Sequence, residues 1–251
     1  MRQIPVALQM FTIRDEAQAD YLGALRAVAE IGYAGVELAG LALSPQDIRK
    51  ALDDLGLAAA GAHFGYDEII NKTDELIEAG LTVGARYITC AALPGEMRNA
   101  EGYRRAGEEL SKAGEIYARH GLGVCYHNHN FEFTRFDGKY GYDILFESGD
   151  ARYLKAQIDT YWVQRAGEDP AEYICRYSGR CPLVHIKDMA DDANHSFAEV
   201  GNGILDFDAI FEACEAAGVE WYIVEQDEWY GRSAVECART SFENLKEMGI
   251  A

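Results

Sequence analysis

Short apolar runs of strand length alternate with longer amphipathic stretches along the whole chain. The runs of strand length cover 4–10, 34–38, 58–63, 85–90, 121–127, 153–159, 182–187 and 221–226. The stretches between them carry apolar residues at i, i+3, i+4 and i+7, which is the spacing of a helix with one buried face. They cover 21–32, 45–56, 67–80, 99–121, 169–179, 206–218 and 233–249. The pattern therefore predicts a succession of strand–helix units.

Eight such units in 251 residues have the size of a closed (β/α)8 barrel, the TIM barrel of the α/β class. The alternative is an open doubly wound sheet, which usually has a glycine-rich phosphate loop after its first strand. Here MFTIRDEAQAD follows that strand and contains no glycine. We therefore predict a single barrel domain spanning residues 1–251.

Glycine and small polar residues mark the ends of several predicted helices. Glycines are expected to terminate helices at Gly32, Gly56, Gly80, Gly121 and Gly218. Ser44 and Asp206 are expected to cap helix N-termini. A small hairpin is predicted around Asp137 and Gly138, and a second long loop follows Asp188.

The four strands from the fifth to the eighth each end in a side chain that can ligate a divalent cation: His127, Asp159, His185 and Glu225. The carboxyl ends of barrel strands share one face, where active sites lie. Imidazole and carboxylate together suit Mn, Zn, Co or Fe better than Ca. We predict one divalent metal (Mn, Zn, Co or Mg) at this face. The competing interpretation is a network of buried polar pairs that closes the barrel.

Other polar residues at the same strand ends are candidates for contact with a substrate. Lys187 and Asp227 follow His185 and Glu225 by two positions, so each pair shares a face, roughly 6 to 7 Å apart along the strand. Lys187 is a candidate proton donor or base, or else forms a salt bridge to Asp188, Asp227 or Glu199.

The string YHNHNFEF at 126–133 contains two further residues that could bind the metal or act beside it. His129 or Glu132 is a fifth ligand, a partner that orients His127, or an acid or base. Trp162 is a candidate apolar wall. The predicted catalytic residues are Glu225, Lys187, His127 and Glu132, and the predicted substrate-binding residues are His63, His129, Trp162, Glu37 and Asp227.

Composition narrows the partners. With 23 basic and 42 acidic residues the formal net charge is −19, which repels phosphate backbones and anionic membranes. We therefore expect no nucleic acid partner. No apolar stretch reaches 18 residues and no signal peptide is apparent, so we also expect no membrane partner and a cytoplasmic protein. Six scattered cysteines without CxxC spacing indicate reduced thiols. A homo-oligomer or hetero-oligomer is left open.

At these positions the chain resembles the xylose-isomerase-like barrel superfamily of sugar isomerases and epimerases, in its inosose-dehydratase-like branch. The strings that carry the resemblance are LQMFTIRDE, GYAGVELAG, YHNHNFEF, QIDTYW, HIKDM, VGNGILDF and IVEQDE. The resemblance implies one divalent metal held by Glu, Asp, His and Glu from the last four strands. Asp159, His185 and Glu225 match this set, whereas His127 stands where the first Glu is expected.

The resemblance implies proton abstraction beside the carbonyl of a sugar, keto-sugar or cyclitol. Return of the proton gives isomerisation or epimerisation, and loss of a hydroxyl gives the dehydration of a lyase. Two other functions are considered: phosphodiester hydrolysis on abasic DNA, which the negative charge disfavours, and a non-catalytic sugar-binding subunit.

Overall fold

Eight parallel strands close into a barrel in which each strand pairs with its neighbours in sequence and the eighth pairs with the first. The computed structural model describes residues 3–251. The barrel strands are Val6–Gln9, Gly35–Ala39, Ala58–Phe64, Tyr87–Cys90, Gly123–His127, Leu154–Asp159, Leu183–Ile186 and Trp221–Val224. The predicted (β/α)8 barrel is confirmed, with every strand inside or within one residue of its predicted run.

Helices surround the barrel. The α-helices are Arg14–Ala19, Tyr21–Ile31, Pro45–Leu55, Tyr66–Asn71, Thr73–Val83, Ala100–Ala118, Gly141–Ser148, Thr160–Arg165, Pro170–Arg176, Phe207–Ala217 and Ala234–Glu247. Short 3-10 helices cover Met10–Ile13, Gly95–Met97 and Phe131–Phe133. The helices at 14–19, 141–148 and 160–165 were not predicted, because they are too short to show the i to i+7 repeat.

Two predicted helix ends are wrong. The helix Ala100–Ala118 is capped by Arg119 and so ends before Gly121. Gly80 lies inside Thr73–Val83, and the helix ends at Gly84, whose φ is +80°. Gly80 is buried, and a Cβ there would lie 3.2 Å from side-chain atoms of Ile88 and Leu122. This glycine therefore allows the helix to pack closely on the barrel rather than ending it. The N-caps at Ser44 and Asp206 are confirmed.

The interior of the barrel is apolar towards the amino ends of the strands and polar towards their carboxyl ends. Ala7, Ala60, Tyr87, Cys125, Leu183 and Ile223 form the apolar cluster. Side chains two positions apart on a strand point to the same side. The residues two positions beyond Ala7, Cys125, Leu183 and Ile223 are Gln9, His127, His185 and Glu225. The alternation of each strand therefore directs these polar side chains into the mouth of the barrel.

Two loops extend this face. The predicted hairpin is confirmed as Arg135–Phe136 paired with Lys139–Tyr140, and Asp137 and Gly138 both have positive φ at its turn. In the loop after the seventh strand, Asp188–Met189 pairs with Phe197–Ala198.

The thiols fit the prediction, since all six cysteines are free and five of them are buried. Within residues 3–251, no helix is both long and apolar enough to cross a bilayer.

Candidate metal centre

The four predicted ligands from the last four barrel strands converge. His127, Asp159, His185 and Glu225 each offer a ligand atom, and these atoms all lie within 4.8 Å of one another. None of the four residues is more than 6% exposed. Residues up to 98 positions apart in the chain therefore form one buried set of nitrogen and oxygen donors.

The two carboxylate oxygens of Asp159 have different environments. Oδ1 accepts a hydrogen bond of 2.9 Å from the backbone N–H of Trp162 and so caps the helix that begins at Thr160. Oδ2 is buried without a hydrogen-bond partner among the described residues. The nearest basic groups are Nζ of Lys187 at 3.5 Å and Nε2 of His127 at 3.9 Å. A buried carboxylate oxygen left in this state fits a cation ligand.

His185 is held on both sides by carboxylates. Its Nδ1 lies 3.0 Å from Oε2 of Glu225, and its Nε2 lies 2.6 Å from Oε2 of Glu37. A carboxylate on the outer nitrogen of a metal-binding imidazole fixes the tautomer and the orientation of the ring. The pair Glu37–His185 has this arrangement, with Nδ1 facing the donor set.

Glu37 occupies a different place from the one expected of a substrate-binding residue. It is 0% exposed, beneath the cavity. Its Oε2 accepts from Nε2 of Gln9 at 2.7 Å and its Oε1 from Nε2 of Gln157 at 2.6 Å, while Nε2 of His63 lies 3.0 Å from Oε2. Both carboxylate oxygens of Glu37 are thus engaged, and this enclosed side chain supports the side chains around it.

The sequence analysis missed Gln157. Its Oε1 lies 2.7 Å from Nε2 of His63, so the amide links His63 to Glu37. The signal was present, because Gln157 precedes Asp159 by two residues and so shares its face.

Lys187 lies among three carboxylates. Its Nζ lies 3.0 Å from Oε2 of Glu225, 2.8 Å from each oxygen of Asp227 and 3.5 Å from Oδ2 of Asp159. The predicted salt bridge to Asp227 is present. Burial by itself would lower the pKa of Lys187, but these carboxylates raise it above its ordinary value. Lys187 is therefore an ammonium ion that holds the acidic side of the site together.

The carboxyls of the site have different pKa values. Burial raises the pKa of Asp159 to about 6, against the opposing effect of Lys187 and His185. Burial also acts to raise the pKa of Glu225, but Lys187 and His185 outweigh it and hold that pKa well below the ordinary value. Glu225 is therefore ionised at neutral pH.

The segment after His127 is shaped by Glu132. This carboxyl is 0% exposed and accepts hydrogen bonds from the Tyr126 hydroxyl at 2.6 Å and from the His129 backbone N–H at 2.8 Å. Burial raises its pKa to about 8. With both oxygens engaged, Glu132 fixes the turn that places the His129 ring 5.0 Å from the ring of His127.

A cavity of about 410 Å³ opens above the donor set. His63, His127, His129, Glu225 and Asp227 line it, together with Gln9 and the partly exposed Phe11. Trp162, a predicted wall, does not line this cavity but packs beside it, with its ring centroid 5.5 Å from His129 and 5.4 Å from Nζ of Lys187.

The loop after the seventh strand encloses Lys187 from the other side, a contribution that the sequence did not indicate. The Asp188 carboxylate accepts hydrogen bonds from four backbone N–H groups, of Met189, Gly201, Gly203 and Leu205. The loop so held places the ring of Phe197 with its centroid 5.1 Å from Nζ of Lys187.

Comparison with known proteins gives relatives in sequence and in fold. The inosose dehydratase of Geobacillus thermodenitrificans is 25% identical over 242 residues, which cover 80% of each protein. A solved sugar phosphate isomerase/epimerase from Parabacteroides distasonis superposes with a TM-score of 0.84 at 25% identity and covers 98% of this chain and 94% of that one. The IOLI protein, solved with a bound zinc atom, has the same fold with a TM-score of 0.76 at 17% identity, over 97% of each chain. The sequence description of the xylose isomerase-like TIM barrel family matches residues 25–248, so this chain belongs to that family.

Proposed function

We propose that the protein is a divalent-metal-dependent enzyme that removes a proton from the carbon beside a carbonyl of a sugar, keto-sugar or cyclitol. The observation that supports this most is the convergence of His127, Asp159, His185 and Glu225, of which His127 and Glu225 line the cavity. Oδ2 of Asp159 is buried there without a hydrogen-bond partner among the described residues. A cation held there supplies Lewis-acid polarisation of substrate oxygens.

The residues of the chain take the remaining roles. Glu225 lines the cavity and its pKa is low, so it is present as the carboxylate and can accept the proton. Lys187 is buried and does not line the cavity, and it keeps Glu225 and Asp227 in place through contacts of 3.0 and 2.8 Å. His63 and His129, on the cavity wall, are positioned to bind hydroxyl groups.

The charge of the cavity favours an unphosphorylated substrate. Glu68, Glu225 and Asp227 line it, and none of its lining residues in the described part of the chain is Lys or Arg. A phosphate would meet carboxylates without a counter-charge on the wall, which is unfavourable. A neutral polyhydroxy ketone fits this lining better.

Two outcomes share the same first step. Return of the proton gives isomerisation or epimerisation, and departure of a neighbouring hydroxyl gives dehydration. The names of the relatives point both ways, since the curated protein is an inosose dehydratase and the solved structure is a sugar phosphate isomerase/epimerase.

Exchange with solvent deuterium tests the shared step without a commitment to either outcome. Metal-loaded protein is incubated in D2O with a panel of ketoses, 3-keto sugars and inososes, and proton NMR follows the carbon beside the carbonyl. We expect exchange or conversion of at least one compound by the wild type and loss of this activity in Glu225→Gln. The control Glu220→Gln makes the same change at a carboxylate that contacts Arg86 and Tyr87, and it should keep the activity. Sugar binding without exchange in any compound would favour a non-catalytic sugar-binding subunit.

A further inference from the structure

The donor set contains two imidazoles rather than one. The ring centroids of His127 and His185 lie 4.5 Å apart, and each residue offers a nitrogen to the group that includes Asp159 and Glu225. Two imidazole nitrogens and two carboxylate oxygens are therefore the candidate donors to a cation. Imidazole suits Zn, Fe, Co and Ni, whereas carboxylate, carbonyl and water suit Mg, Ca and Mn.

The negative charge of the set is further reduced from within. Nζ of Lys187 contacts Oε2 of Glu225 at 3.0 Å and lies 3.5 Å from Oδ2 of Asp159. Both ligating carboxylates therefore share an ammonium ion. Hard cations depend on anionic oxygen ligands. The Lys187 ammonium therefore weakens the binding of hard cations more than it weakens the binding of cations that also use imidazole nitrogen.

Of the four candidate ligands, His127 makes the fewest other polar contacts. Its Nδ1 is buried without a hydrogen-bond partner among residues 3–251, and the side chain lies 3.9 Å through Nε2 from Oδ2 of Asp159. His185, by contrast, is fixed between Glu37 and Glu225. A change at position 127 therefore alters the donor atoms without breaking a hydrogen-bond network.

We infer that His127 sets the metal preference of this site, directing it to Zn²⁺, Co²⁺ or Fe²⁺ and away from Mn²⁺ and Mg²⁺. This rests on the proposed function only in that the four residues bind a divalent cation. It does not depend on the substrate or on the reaction.

Competition titrations of metal-free protein against a chromophoric chelator test the inference. Affinities for Zn²⁺, Co²⁺ and Mn²⁺ are measured for the wild type, His127→Glu and His120→Glu. Most nitrogen and oxygen sites prefer Zn²⁺ to Mn²⁺, so the informative quantity is the change in that ratio between variants. We expect His127→Glu to reduce the Zn²⁺/Mn²⁺ affinity ratio by roughly tenfold or more, from the exchange of an imidazole for a hard oxygen donor. His120→Glu makes the same change at an exposed histidine outside the cavity and should keep the wild-type ratio.

The outcomes separate this inference from the proposed function. A wild type that binds metal and a His127→Glu ratio within about twofold of it would overturn the inference and leave the function standing. A wild type that binds none of the three ions would remove both. If His127→Glu does not fold by circular dichroism, the Co²⁺-loaded wild type decides through its paramagnetic proton NMR spectrum. Strongly shifted signals from carbon-bound ring protons of two histidine ligands are expected, and such signals from one imidazole alone would overturn the inference.

Discussion

Nε2 of His185 lies 2.6 Å from Oε2 of Glu37, while Nδ1 of the same ring lies 3.0 Å from Oε2 of Glu225. One imidazole therefore connects a carboxylate that is sealed inside the barrel to one that lines the cavity. Glu37 in turn is held by the amides of Gln9 and Gln157. The ring orientation of a proposed ligand thus depends on residues of the first, second and sixth strands.

Glu37→Gln should weaken metal binding although Glu37 is not in the donor set. The amide has the same size, but its N–H₂ group replaces one of the two acceptor oxygens. It therefore faces either the donor of Gln157 or the donors of Gln9 and His185, and the contacts that orient the imidazole are weakened. We expect metal affinity to fall about tenfold or more, as outer carboxylate partners of ligating histidines usually contribute. Isothermal titration with Zn²⁺ measures this. Glu220→Gln is the control, and an unchanged affinity in Glu37→Gln would show that the Glu37–His185 contact has no role in metal binding.

Lys187→Met should destabilise the metal-free protein. The variant leaves Asp159, Glu225 and Asp227 close together without their shared ammonium, and removal of one partner of a buried ion pair costs about 3 kcal/mol or more. Urea unfolding in the presence of a chelator measures the loss. Lys155→Met is the matched control, since that lysine contacts only a backbone carbonyl in the hydrogen bonds of the structure. Added Zn²⁺ should restore more stability to Lys187→Met than to the control, and equal recovery would contradict the charge balance described here.

The stability of the protein should carry a pH dependence from Glu132. Folding raises the pKa of this carboxyl from 4.5 to about 8, so the folded protein holds the proton more tightly than the unfolded chain. The unfolding free energy should therefore fall as pH rises between these values, by about 1.4 kcal/mol per pH unit at most, and level off above pH 8. Glu132→Gln lacks this ionisation, so wild type should lose stability relative to it from pH 5 to pH 8. Parallel urea curves for the two proteins across this range would mean that Glu132 ionises normally.

Gly203→Ala should disrupt the loop after the seventh strand. A Cβ at this position would lie 2.3 Å from Oδ1 of Asp188 and 2.3 Å from the carbonyl oxygen of Met189. The Asp188 carboxylate would have to give up hydrogen bonds that it now accepts from backbone N–H groups, at a cost of about 2 kcal/mol or more. Thermal unfolding measures the effect, with Gly95→Ala as control because nothing lies within 4 Å of a Cβ there. Equal melting temperatures for the two variants would show that the loop accommodates the methyl group.

The sequence was sufficient for the barrel and for the residues that its mouth brings together. Strand alternation and the common position at the strand ends placed His127, Asp159, His185 and Glu225 on one face, and the structure brings them within 4.8 Å. Chain periodicity decides which side of a strand a residue occupies, so this part follows from local pattern alone.

Depth within the barrel could not be derived in the same way. His63 lies next to the end of its strand and lines the cavity, whereas Glu37 is the middle residue of Gly35–Ala39 and is enclosed. In the register of the second and third strands Glu37 pairs with Gly61, two residues before His63, so Glu37 lies deeper in the barrel. The roles of Asp188 and Glu132 depend on backbone N–H groups of irregular segments, which carry no sequence periodicity.

The central claim is that His127, Asp159, His185 and Glu225 together bind one divalent cation. Crystals of the protein grown with Zn²⁺, with diffraction data collected on both sides of the zinc absorption edge, test it most directly. The expected result is one strong anomalous peak among the four side chains, within coordination distance of each. Zinc density only elsewhere on the molecule, with Lys187 still bridging the carboxylates of a metal-free centre, would contradict it.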